Sequence, residues 1–209
     1  VLGVGPLLLM QISHPHAFFT VTGLFSYAWL AIIPLLIAAF LLFDGFAHKL
    51  ATSAWLALIC GLVGVAALMT VPAIFTGALT LMERPAEWAD FAARGIRFDA
   101  QWMPHWVLRY LHVLGAAVAF GAAFHLFFSA RNEKQKAPLL RKWLLGALAA
   151  QAVIGLALLA TILPQLSVPV LSFISLGAVA LGAAVWILRP ESSTADYRLL
   201  ALLPLIFVS

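Results

Sequence analysis

The stretch RYLHVLGAAVAFGAAFH, Arg109 to His125, is preceded by MPHW and carries two histidines and an arginine inside an apolar run. Within a membrane-spanning helix such groups are costly, face the bundle interior with a partner, and mark functional sites. His112 lies about two turns into the run, and at about 100° per residue Arg109, Gly115, Ala116 and Ala119 share its face. The imidazole therefore stands beside small residues, with a guanidinium one turn nearer the water. That combination suits haem. The imidazole binds iron, small side chains leave room for a flat macrocycle, and the arginine pairs with a propionate. The same small residues would also serve close helix packing, with His112 hydrogen-bonded to a neighbour.

His125 lies thirteen residues further on, about 20 Å along the axis and about 140° around it. It cannot share one cofactor with His112. It marks either a second haem, beside Gly121 and Ala122, or an interfacial helix end near Arg131. His105, seven residues before His112, sits at the water boundary as an interfacial group or a hydrogen-bond donor to a propionate. In SHPHAFF, Pro15 holds His14 and His16 in an extended or turn conformation, so both could reach one site. Either could be the second axial ligand of a haem near the outer face. The pair could instead hold copper, since neutral imidazole suits several transition metals, or act as a polar helix cap. His48, after LLFDG, reads as solvated.

These residues need elements to carry them, and composition says which. The chain is 64% hydrophobic and 10% charged, with mean hydropathy +1.06, which a soluble domain of this size cannot cover. The fold class is all-α, a polytopic transmembrane bundle in one domain. Spans of about 20 apolar residues are needed to cross a hydrocarbon core of roughly 30 Å. They fall at 17–43, 50–82 (with Pro72 a kink), 106–130, 139–163 and 168–188, and a sixth begins near Leu199. Residues before His14 read as the tail of an earlier helix. The first residue is Val and the last stand in an apolar run, so both ends read as limits within a longer chain. A missing signal peptide then carries no information. Lone Cys60 allows no internal disulfide and no cysteine-held cluster.

Arg131, Lys134, Lys136, Arg141 and Lys142, with Lys49, Arg189 and Arg198, lie on one side, which the positive-inside rule makes cytoplasmic. The loop 83–104 is then external. Its Trp88, Phe91, Phe98 and Trp102, interspersed with charges, read as an interfacial segment at the headgroups or a docking surface for a periplasmic partner. His14, His16, His105 and His112 point toward that outer side. The basic balance comes from loop residues and implies no nucleic-acid partner. No acidic residue lies inside the first two spans, which argues against a proton channel or a cation pump.

Three segments, LLFDGFAHKLATSAWLAL, LTLMERPAEW and PHWVLRYLHVLGAAVAFGAAFH, resemble the large subunit of cytochrome bd quinol oxidases and bd-like membrane cytochromes, over about Ala17 to Pro164. The resemblance implies that His112 is an axial ligand of a low-spin haem b on a helix entered from the periplasmic side. The oxygen-reducing members have glutamates in the helix matching the first span, and here there are none. Their long quinol-binding loop is replaced by PQLSVP. Those two departures argue against oxygen reduction.

The sequence thus points to a quinol-linked oxidoreductase subunit, a multi-pass protein of the bacterial inner membrane carrying one or two haem b. It would pass electrons between quinone or quinol and a periplasmic protein such as a c-type cytochrome, alongside other membrane subunits. His112, His14, His16, His105, His125, Arg109, Gly115 and Ala116 are its candidate cofactor residues, the first three and His125 as metal ligands. The rival readings are a copper or small-solute permease with an outer-face histidine site, and a structural anchor without cofactors.

Overall fold

A computed structural model describes residues 4–132, 137–162 and 168–187. It contains helices and no strand among the described residues. The elements are α1 (Val4–Ser13), α2 (Pro15–Leu30), α3 (Ile32–Lys49), α4 (Ala54–Met82), α5 (Trp88–Arg94), α6 (Met103–Asn132), α7 (Ala137–Ile162) and α8 (Val168–Ile187). Four stretches are long and apolar enough to cross a membrane: Pro15–Lys49, Ala54–Met82, Met103–Leu126 and Pro138–Ile162. Large apolar side chains such as Ile33, Phe40, Leu62, Val153 and Leu156 are exposed on their flanks. Such flanks belong in a lipid bilayer, so the protein is membrane-embedded. The 20 residues of α8 form a helix over the stretch expected as the fifth span, which is not among these four. The sixth span, with Lys134, Lys136, Arg189 and Arg198, lies outside the described residues.

Two local expectations change, and one local feature is new. The helix before His14 is present as α1, but Pro15 and His16 are not extended. Pro15 occupies the first turn of α2, where its fixed φ and missing N–H suit a helix start. The first span does not end at Phe43 either. Asp44 sits within α3, which continues to Lys49, where His48 Nδ1 meets the Asp44 carbonyl at 2.9 Å. Finally, Ser26 takes φ 41° and ψ −111° inside α2, a left-handed conformation that kinks the helix and that glycine tolerates better than serine.

Two compact units divide the chain at residues 110 and 111, within α6. In the first, α3 runs along α4 where glycines leave room. A Cβ on Gly61 would stand 3.1 Å from the Phe46 ring, and one on Gly64 3.2 Å from Leu42 Cβ. The other end of α4 closes on an aromatic cluster. Phe18, Val21, Phe25, Ala78, Leu81, Met82, Phe91 and Trp102 are buried together, and the Phe25 and Phe91 rings stack at 5.1 Å. The segment 83–104 therefore does not simply lie at the headgroups. Phe91 and Trp102 turn inward, Trp88 Nε1 donates to the Leu81 carbonyl at 2.8 Å, and Phe98 alone of the four is 93% exposed. Burying two large rings outweighs leaving them among headgroups. In the second unit, Ala119, Ala122, Ala123 and Leu126 of α6 pack on Leu144, Ala147 and Leu148 of α7.

Candidate functional site

In the first unit, the start of α6 faces one side of α4. Met69, Ala73, Thr76 and Thr80, with the capping residue Glu83, follow one another at spacings of four and three, which keeps them on one helix face. Tyr110 OH donates to the Met69 carbonyl at 3.2 Å. Trp106 Nε1 donates to the Ala73 carbonyl at 3.0 Å and lies 3.2 Å from Thr76 Oγ1. Both threonines turn their hydroxyls back onto their own helix, Thr76 to the Pro72 carbonyl at 2.7 Å and Thr80 to the Thr76 carbonyl at 2.8 Å. Polar groups at this depth need such partners.

Arg109 reaches toward the start of its helix, the direction in which helical side chains lean. Its Nη2 meets both Glu83 oxygens, at 2.9 and 2.8 Å, and its Nη1 donates to Thr80 Oγ1 at 3.3 Å. His105 is buried, with Nε2 3.8 Å from Glu83 Oε2. The arginine proposed for a propionate therefore has a carboxylate of its own chain as partner. A propionate would have to compete with that ion pair. His14 caps the start of α2 without a side-chain hydrogen bond, and His16 is exposed with its ring 5.7 Å from that of Trp88.

In the second unit, α7 presses against His112. Gln151 Nε2 donates to the His112 carbonyl. A Cβ on Gly115 would come within 2.5 Å of that amide nitrogen, and a Cβ on Gly155 would lie 3.4 Å from His112 Cε1. Gly115 makes room for the Gln151 amide there, and at Gly155 a Cβ would be in ordinary contact. His112 Nδ1 is buried and has no hydrogen-bond partner. Of the small residues beside it, Ala119 is packed into the α6–α7 core and Gly115 against Gln151, whereas Ala116 is exposed. His125, one position before buried Leu126, is also exposed.

A haem fits this surround in part. His112 Nδ1 is covered and lies against Gly155 of α7, so iron would have to be met by the other ring nitrogen, and Ala116 leaves one flank open to a flat group. The flank at Gly115 and Ala119 is taken by α7. Among the described residues no three of the histidine, cysteine, aspartate and glutamate side chains gather as a metal-holding group. No protein-family model matches the chain, nor does a curated protein or a solved structure.

Thr76, Thr80, Glu83, Trp106 and Gln151 had not been singled out from the sequence. Their signal is there: polar residues at helical spacing in apolar runs, facing a run that itself holds an arginine.

Proposed function

We propose that the chain is a membrane subunit that carries haem b on His112 and passes electrons between the quinone pool and a periplasmic redox partner. One observation carries this reading: His112 stands within a span with its Nδ1 covered by α7 and without a hydrogen-bond partner, so that the other ring nitrogen is the one that would meet iron. A buried polar atom without a hydrogen bond is destabilising, and intramembrane histidines of that kind are functional by default. The likeness to bd-type cytochromes supports the same residue. Bound there, the group supplies one-electron transfer at iron. His112 presents the imidazole, and apolar neighbours keep water away, which raises the strength of every local electrostatic contact. A bacterial inner membrane and companion subunits belong to this proposal.

The test is a reduced-minus-oxidised spectrum of the purified chain in detergent. The expected result is b-type bands that vanish in His112→Ala while the variant still inserts. Absent bands in the unmutated chain, or bands retained in His112→Ala, overturn the proposal.

A structural anchor is the second reading, and the Arg109–Glu83 pair favours it, because the fold already accounts for that arginine. An intact complex holding haem in its other subunits and none in this chain would decide for it.

A further inference from the structure

The α6–α7 contact holds the histidine by its backbone. Gln151 is a polar amide in an otherwise apolar stretch, LLGALAAQAVIGLALL. Its Nε2 reaches the His112 carbonyl, which already accepts the ordinary helical bond of its own turn. A Cβ at 115 would stand 2.5 Å from that amide nitrogen, so a side chain there displaces the flexible end of Gln151 from the carbonyl. One turn further along α7, Gly155 lies beside the imidazole, where a built Cβ would stand in ordinary contact, 3.4 Å from Cε1 and 3.8 Å from Nδ1. An amide donor and the close approach at Gly115 thus converge on a single turn of α6.

We infer that Gln151 is a positioning residue for His112: it fixes the height and rotation of α6 against α7 at that turn, and with them the direction of the imidazole. This rests on the haem reading for its consequence at iron, but the positioning itself does not need haem. A side chain that only filled space would have no reason to carry a donor into hydrocarbon, where a leucine of similar length packs as well.

Three variants separate the possibilities. Gln151→Leu keeps bulk and removes the donor. Gly115→Ala keeps Gln151 but pushes its amide aside. Leu148→Ala disturbs the same helix pair within its buried core, away from the amide. In membranes holding the full chain, Gln151→Leu and Gly115→Ala shift the haem midpoint potential and its ferric resonance spectrum, and Leu148→Ala leaves both in place. The expected change in the reduction equilibrium is about fivefold, the size given by loss of one neutral hydrogen bond. Unshifted signals in Gln151→Leu, or an equal shift in Leu148→Ala, overturn the inference. If the unmutated chain shows no b-type spectrum, the haem assignment fails by itself. Carbethoxylation of His112, followed by mass spectrometry, then decides the positioning role. Gln151→Leu is expected to change its rate about fivefold and Leu148→Ala to leave it unchanged, and any other pattern sinks the inference.

Discussion

At the scale of single residues, the Arg109–Glu83 pair shows how a charge is kept within a span. The guanidinium is mostly covered while the carboxylate is half exposed, 20% against 52% of their side chains. Removing the two partners is therefore not equivalent. Glu83→Ala leaves a cation with only Thr80 beside it, whereas Arg109→Met leaves a carboxylate that water can reach. We expect Glu83→Ala to destabilise the protein by about 2–3 kcal/mol and Arg109→Met by less. The double variant should recover part of the Glu83→Ala loss, as read by thermal unfolding in detergent. In the loop, Asp99 accepts from Arg97, and that hydrogen bond holds the Asp99 carboxyl below its ordinary range. A depressed carboxyl stabilises the fold above its unfolded pKa and loses that contribution as pH falls through the folded value. Below about pH 4, the unmutated protein should lose its advantage over Asp99→Asn; melting curves across that range check it. A constant difference would show the pair to be inert.

At the scale of elements, glycine placement decides how closely helices approach. Gly77 faces two rigid rings, with a built Cβ 3.2 Å from Phe25 Cζ and 3.2 Å from the Trp106 indole. Gly121 has nothing within 4 Å. Gly77→Ala should cost about 1–3 kcal/mol through displaced aromatic packing, and Gly121→Ala should be neutral or stabilising by about 0.5–1 kcal/mol, measured in the same melts. The spans were legible in the sequence because apolar length alone selects them, and α7 and α8 fall within two residues of their expected bounds. The course of 83–104 was not. Trp88, Phe91, Phe98 and Trp102 have equivalent composition, and only the shape of the cluster under them decides that Phe91 and Trp102 go inward. His112 and Arg109 stood out as polar groups in hydrocarbon. Their partners did not, because Thr80, Glu83 and Gln151 come from other helices, and pairing between helices leaves no periodicity within either one.

At the scale of the whole molecule, composition fixed the solvent: the described helices leave large apolar side chains uncovered along several spans, and only lipid suits them. Within the first unit, that solvent has a thickness the helices do not match. Pro15–Lys49 has 35 residues, which would span about 52 Å as one straight helix, and α4 has 29, about 43 Å. The hydrocarbon layer is roughly 30 Å. The excess must be taken up by inclination, bending or protrusion. Ser26, the one non-glycine residue with positive φ among those described, gives the longer stretch a joint at which to bend, and Pro72 gives the other a weak point. Bilayer thickness is thus a mechanical load on this pair of helices, and the first of them already carries two places to bend, at Ser26 and at the break between α2 and α3.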